Sequence, residues 1–420
     1  MYQVIENENY NLYLIKTDKF KTAQITFRFT DLLNRDEATL RSILPHVLRS
    51  GTKTYPSKKA ISMRLEGLYG SMITASTTKV GCASLVTFTF KIPAVEYIKE
   101  ENFINDVVDL AYELLYEPYL EDGHFSNKLV KDEIQILKEE LLSVEDEPRK
   151  KAYNEFNAIM FKNEKYGLVV SGYLDDLKNV NSCNLYDYYK RFLQTNKLDI
   201  IICASTPDLI SKVIETKFTF KHSKKNISLI DKEIPYFKLK NEVVIKDVNQ
   251  GILWMGYRSN IYRDSKNYYS MLLLNLLLGV YPHSLLFTNV REKNSLCYSI
   301  SSRYDAYKGV LVINSGISFD KYEQVVNIIE EQIKVIEKGQ IDQLLEMTKV
   351  AFKNNYLESL DNQSQMMSKA YTEIVLNEKI TTDELFELID NIKVSDLQEC
   401  VKTLQLDTIY FLRGDYNAKN

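Results

Sequence analysis

The order of predicted elements in the first half of this chain returns in the second, and a repeat of that kind constrains the fold more than any single motif does. Three short residue echoes fall in the same order along both halves. Leu198-Asp199-Ile200-Ile201 matches Leu406-Asp407-Thr408-Ile409 at three of four positions. Lys151-Ala152-Tyr153 returns as Lys369-Ala370-Tyr371, and Leu68-Tyr69-Gly70 is answered more loosely by Leu296-Cys297-Tyr298. In the first half, β-branched and aromatic alternation predicts paired strands at Tyr10–Ile15 and Gln24–Phe29. A helix over Asp36–Arg49 follows, which Pro45 should kink. Then come a helix over Ser57–Tyr69, strands at Met72–Thr77 and Ala83–Ile92, and helices at Phe103–Leu115, Asn127–Val144 and Leu185–Phe192. The nearly unbroken apolar run Leu198–Ala204 has the pattern of a buried strand.

The second half repeats this with strands at Glu242–Ile245 and Ile252–Gly256, a helix over Ser265–Leu278, and strands at Ser299–Tyr304 and Gly309–Ile317. Helices at Tyr322–Glu337, Leu344–Glu358 and Val394–Leu404 and a closing strand at Thr408–Leu412 complete it. Between the halves, residues 207–240 are weakly patterned and carry the Lys-rich Lys221–Lys225, which predicts a linker. The expected organisation is α+β: two tandem homologous domains, 1–206 and 241–420, each an antiparallel-rich sheet with helices packed on one face.

Composition narrows the function classes. Of 420 residues, 45% are hydrophobic and 26% charged, the balance of a core-building globular chain. Acidic and basic residues are interspersed and nearly cancel, leaving −4, so there is no electrostatic footprint for nucleic acid. The longest apolar run, Met271–Tyr281, is too short to span a bilayer, and Met1–Leu12 has no apolar signal region. The cysteines Cys82, Cys183, Cys203, Cys297 and Cys400 form no C-x-x-C pair and read as reduced thiols of a cytoplasmic protein. There are four histidines, His46, His124, His222 and His283, no two within five residues of each other. A self-contained zinc enzyme built on a short His motif is therefore nearly ruled out.

One histidine nevertheless sits in a recognisable setting. The segment Leu44-Pro45-His46-Val47-Leu48-Arg49-Ser50-Gly51-Thr52, followed by Tyr55-Pro56, resembles the zinc-binding helix of the pitrilysin/insulinase (inverzincin) metallopeptidases, whose motif is H-x-x-E-H. There, two histidines one helical turn apart hold zinc and the Glu is the general base. Here the first ligand is kept as His46, the base position holds Arg49, and the second ligand position holds Ser50. A guanidinium cannot act as a base, and a serine hydroxyl is a poor zinc ligand. The downstream acidic ligand of the family falls on Glu140, with Glu133 two turns earlier and Glu139 as an alternative alignment. One His and one Glu do not suffice for catalytic zinc. Read from spacing alone, His46, Arg49 and Ser50 are also the polar face of an amphipathic helix, and Glu133 and Glu140 ordinary solvated acids.

The second half keeps its motif. Leu277-Leu278-Gly279, Ser284-Leu285-Leu286-Phe287 and Val290-Arg291-Glu292-Lys293-Asn294-Ser295-Leu296-Cys297-Tyr298-Ser299 resemble the family's C-terminal signature, with Ser295 where Gly is common. Its functional Arg and Tyr fall on Arg291 and Tyr298. A guanidinium and a phenol can both donate hydrogen bonds to a peptide carbonyl and a developing oxyanion. The resemblance implies half of a clamshell: a non-catalytic subunit that binds no metal itself and pairs with an insulinase-like sister carrying the intact zinc motif. Arg291 and Tyr298 would then act in trans on an unfolded or extended peptide. It is similar to Gram-positive members without the zinc motif that accompany such a sister, in elongation factor P modification or in peptide and bacteriocin processing; the sequence leaves both open. Two alternatives stand beside it. One is an inert structural or peptide-binding protein of the same fold. The other is a homodimer whose zinc ligands come from His46, Glu140 and a distant residue.

Overall fold

The computed structural model describes residues 2–234, 237–378 and 380–415. The chain separates into two compact units, each assembled from discontinuous stretches. The first unit comprises Met1–Leu142, Leu168–Leu229 and Ser359–Glu378; the second comprises Ser143–Gly167, Ile230–Glu358 and Lys379–Asn420. As expected, the architecture is α+β; among the described residues there are two large sheets and a two-stranded ribbon of Leu120–Glu121 with His124–Phe125.

The first sheet contains β1 (Tyr2–Glu6), β2 (Asn11–Lys16), β3 (Thr22–Leu32), β4 (Met72–Val80), β5 (Ala83–Pro93) and β6 (Lys197–Ala204), in the order β1-β2-β6-β3-β5-β4. The second contains β7 (Lys240–Ile245), β8 (Gly251–Arg258), β9 (Cys297–Asp305), β10 (Val310–Ile317) and β11 (Gln405–Arg413), in the order β7-β11-β8-β10-β9. Apart from β1 the two are the same sheet. In each, one parallel pair (β2 with β6, β7 with β11) leads into antiparallel neighbours. One expectation is corrected here. β2 and β3 are not paired with each other, because β6 lies between them. β6 is buried at every position from Leu198 to Ala204 and can be satisfied only at a central place.

The helices are α1 (Ala38–Leu48), α2 (Lys58–Gly67), α3 (Phe103–Tyr116), α4 (Asn127–Glu145), α5 (Pro148–Met160), α6 (Ser182–Thr195), α7 (Pro207–Lys217), α8 (Tyr268–Asn275), α9 (Tyr322–Glu337), α10 (Asp342–Ser359), α11 (Gln363–Val375), α12 (Thr382–Asn391) and α13 (Val394–Thr403). In the first unit, alternate residues of the strands, among them Phe27, Phe29, Phe88, Phe90, Ile200 and Ile202, face a core completed by α1, α3, α6 and α7. The predicted linker therefore holds a helix of the first unit: Ile210 and Ile214 of α7 are fully buried in that core.

Helices also cover the opposite face of each sheet. Met367, Ala370 and Tyr371 of α11 pack on Tyr13, Ile15, Ile201 and Cys203 of the first sheet. Ala152, Phe156 and Met160 of α5 pack on Ile252, Val310, Val312, Tyr410 and Leu412 of the second. These are the two helices that carry the Lys-Ala-Tyr echo. Each belongs to the unit opposite its half of the sequence, so neither 1–206 nor 241–420 coincides with a unit. Gly256 makes room for α5, since a Cβ there would stand 2.4 Å from Met160 Sδ.

The Leu-Asp echo has a matching role. Asp199 is fully buried and accepts the Tyr371 hydroxyl of α11 at 2.6 Å, with Lys197 Nζ at 3.0 Å. Asp407 is equally buried and accepts Arg258 Nε at 2.9 Å, while Arg258 Nη2 donates to the Met160 carbonyl that ends α5. Each echoed aspartate thus fixes, directly or through Arg258, the helix on the second face of its sheet.

Burial also creates one acid-sensitive position. His222 is enclosed by Phe29, Tyr116 and Phe220, with Nε2 2.7 Å from the Tyr116 hydroxyl. Desolvation lowers its pKa from 6.5 to about 4. The unfolded chain therefore binds the extra proton between those values. The stability this contributes is complete above about pH 6.5 and is lost as pH falls towards 4, by about 3 kcal/mol. Urea midpoints for wild type and His222→Gln should differ most in pH sensitivity across that window; parallel curves would contradict it. Among the described residues no helix is long and apolar enough to cross a membrane.

Candidate functional site

The first cluster of interest is built on α1, α2 and α4 of the first unit. Pro45 lies inside α1, which continues to Leu48 despite it. The Arg41 carbonyl, deprived of the Pro45 N–H, accepts the Thr77 hydroxyl at 3.3 Å instead. The helix therefore delivers His46, Arg49 and Ser50 on one face, as the spacing predicts. Ser50 is fully buried, and its Oγ lies 2.8 Å from both Glu133 Oε1 and the His46 carbonyl. Glu133 is itself 5% exposed and ion-pairs with Lys58 of α2. His46 is half-buried; desolvation lowers its pKa, opposed by Glu133 and Glu140 and reinforced by Arg49 and Lys58. Glu139 points elsewhere and accepts a hydrogen bond from Gln135 at 2.6 Å.

His46, Arg49, Ser50, Glu133 and Glu140 are thus brought together, but not as a zinc site. The would-be second ligand is a hydroxyl bonded to Glu133. The carboxylate's countercharge is an ammonium, and a guanidinium stands at the place of the base. Among the described residues no group of three or more His, Cys, Asp or Glu side chains could hold a metal. The residues present do not fit zinc. Lys58 is the member of this cluster that sequence reasoning missed; it lies outside the motif, on the next helix.

The second site forms in the second unit, where α8 runs on into the wide turn Leu276–Val280 and a second wide turn spans Phe287–Glu292. Arg291 lies in the latter. Its guanidinium carbon is 4.7 Å from the Phe287 ring centre and 5.7 Å from that of Tyr298. No carboxylate among the described residues forms an ion pair with it. The turn ends at Ser295, whose φ of 50° is left-handed. Ser295 N–H donates to the Arg291 carbonyl and Leu296 N–H to the Val290 carbonyl, both at 3.0 Å. β9 then begins with a bulge: Cys297 faces Ile317 and Ser299 faces Gly316, leaving Tyr298 unopposed. Tyr298 is 76% exposed as a result.

The structure therefore brings Arg291 and Tyr298 together, both open to solvent, as a cation and a phenol that can each donate a hydrogen bond. Phe287, quoted within the motif but not assigned a role, supports the guanidinium from beneath. Ser295 explains why glycine is common at its position, since the left-handed conformation costs a side chain roughly 1 kcal/mol. Ser295→Gly should raise stability by about 1 kcal/mol in urea unfolding; a lower midpoint would show that the Ser295 side chain contributes contacts that outweigh the strain.

Comparison with known proteins gives the chain a family context. The family model described as "Peptidase M16 inactive domain" matches residues 179–346. A Bacillus subtilis protein named "Probable inactive metalloprotease YmfF" is 33% identical over 414 residues, 97% of this chain and 96% of its own length. The "Uncharacterized zinc protease YmxG" of the same organism is 22% identical over 86% of this chain and 84% of its own. The crystal structure of a conserved protein from Enterococcus faecalis V583 superposes with a TM-score of 0.93 at 25% identity, covering all of both chains.

Proposed function

The chain belongs to the M16 (pitrilysin/insulinase) peptidase family as an inactive member, and we propose from this premise that it is the non-catalytic subunit of a two-subunit zinc peptidase. The observation that carries the reading is a contrast between its two sites. His46, Arg49, Ser50 and Glu133 form a cluster neutralised by Lys58, unsuited to metal. Arg291 and Tyr298 are presented to solvent, and among the described residues no carboxylate pairs with the guanidinium. A chain with no use for a substrate-orienting pair has no reason to expose one in this way.

The partner is an M16 subunit with an intact H-x-x-E-H helix, whose zinc would supply Lewis-acid chemistry and an activated water. This chain's contribution is positional. Arg291 and Tyr298 would hold the carbonyl of an extended peptide by donated hydrogen bonds, and those bonds would strengthen as negative charge develops on the oxygen. Its cysteines form no disulfide among the described residues, which agrees with a cytoplasmic setting.

The test is reconstitution. The purified chain alone should carry no stoichiometric zinc and cleave no fluorogenic peptide. Addition of the zinc-bearing sister subunit should give a stable complex and peptidase activity. Stoichiometric zinc in this chain, or full activity of the sister in its absence, would overturn the assignment. If a complex forms and is active but Arg291→Ala changes nothing, the chain is a scaffold.

A further inference from the structure

We propose that β7 is a docking edge for an extended peptide segment, which adds to the five-stranded sheet as an antiparallel sixth strand. Among the described residues β7 pairs on one side only, with β11. The molecule contains its own precedent for what belongs on the other side. β2, the counterpart of β7 in the first sheet, pairs with β6 on one edge and carries β1 on the other, antiparallel, with Tyr2 facing Ile15 and Glu6 facing Asn11. Every other strand of the two sheets has an equivalent. The outer edge of β7 is the position that is filled in the first unit and, among the described residues, open in the second.

The side chains agree. Alternate residues of β8, β10 and β11, such as Met255, Ile313 and Phe411, face the helical core and are buried. Val243 and Ile245 occupy the same face of β7 and are 49% and 55% exposed. Lysine, proline or a bulge usually blunts such an edge, but Lys240 at the start of β7 is turned to Asp407 and to the Ile159 and Met160 carbonyls, and Lys246 beyond its end to Glu155; between them Glu242 is the one charge, with no lysine, proline or bulge. A cavity of about 870 Å³ lies at the end of the strand, walled by Ile245, Val248 and Phe319 with Lys246, Asp247 and Asp320 at its polar rim. An added strand would leave β7 into this cavity, which offers room for one large side chain. The fitting ligand is an extended peptide with apolar side chains at alternate positions, bound mainly through its backbone and hence tolerant of sequence. This site is separate from the Arg291–Tyr298 pair. Tyr298 is on β9, the opposite edge of the same sheet, four strand spacings or roughly 19 Å away.

The experiment uses the full chain and a fluorescein-labelled synthetic peptide reproducing Tyr2–Glu6, the segment that fills the equivalent edge in the first unit. Fluorescence polarisation should show saturable binding, and hydrogen exchange should slow for backbone amides within 240–245. Val243→Lys with Ile245→Lys should weaken binding about tenfold or more, and N-methylation of alternate peptide amides should abolish it. Protection at 297–305 or 72–80 in place of 240–245 would overturn the proposal, as would absence of binding or indifference to N-methylation. A concentration-dependent dimer of the wild type that Val243→Lys dissociates would also overturn it, because the occupant would then be a second copy. Exchange on the wild type decides the matter even where the double variant folds poorly.

Discussion

Arg258→Met should destabilise the second unit by about 3–5 kcal/mol, the effect expected for removing one partner of a buried ion pair. Arg258 is 1% exposed and sits among charges that are all out of water. Its guanidinium donates to Glu164 twice, at 2.7 and 3.0 Å, to Asp407 at 2.9 Å, and to the Met160 carbonyl at 3.1 Å. Lys308, also 1% exposed, bonds Glu164 at 2.6 Å and Asp231 at 2.9 Å. Among the described residues, loss of the arginine leaves Glu164 with Lys308 as its one ion-pair partner and Asp407 with the more exposed Lys240 at 3.3 Å and the neutral Thr408 hydroxyl at 2.6 Å. It also strips a donor from the last turn of α5, which covers the sheet. Urea unfolding read by Trp254, which stacks on Phe156 of α5, reports on this unit directly. Lys402→Ala is the contrasting control in the same unit. Its pair with Glu399 is 59% and 62% exposed, so the loss should stay below about 1 kcal/mol. A cost for Arg258→Met no larger than that of Lys402→Ala would mean that the network is a liability which hydrophobic packing replaces without loss.

That network also shows where sequence reading stops. Leu198-Asp199 and Leu406-Asp407 were legible as an echo, because the echo needs only letters. What the two aspartates do depends on Tyr371 and Arg258, which are distant in sequence. Strands and helices with a strong local period, such as Tyr322–Glu337, appear where periodicity places them. The helices α5 and α11 do not announce themselves in that way. Each buries a thin stripe, Ala152, Phe156 and Met160 in one case, between charged and polar residues, so the apolar period is weak. The same helices cross between units, and no local pattern encodes which sheet a helix will cover. The candidate sites divide similarly. His46, Arg49, Ser50, Arg291 and Tyr298 lie in contiguous motifs and were readable. Lys58 reaches Glu133 from another helix, and the bulge that exposes Tyr298 depends on the register of β9 with β10, so neither could be seen in the letters.

Arg291→Ala in the reconstituted two-subunit enzyme should lower kcat by about 10²–10³, the loss typical of removing one donor to a developing oxyanion. Tyr298→Phe should lower it less, by about tenfold, since it deletes one neutral donor and keeps the ring against the guanidinium. The two should not add. The ring of Tyr298 and the charge of Arg291 are in contact, so the double variant should fall short of the product of the singles. Assembly should be unaffected, because both side chains are exposed and neither forms a salt bridge among the described residues. Arg291→Lys discriminates charge from geometry. Lysine keeps the cation but loses the planar fork and the stacking on Phe287, so partial rescue would assign the role to charge, and a value as low as alanine's would assign it to directed hydrogen bonds. A rise in KM with kcat unchanged in all four variants would mean that the pair holds ground-state peptide only. Peptide orientation would then rest on the partner subunit, and this chain would serve as a wall of the binding site.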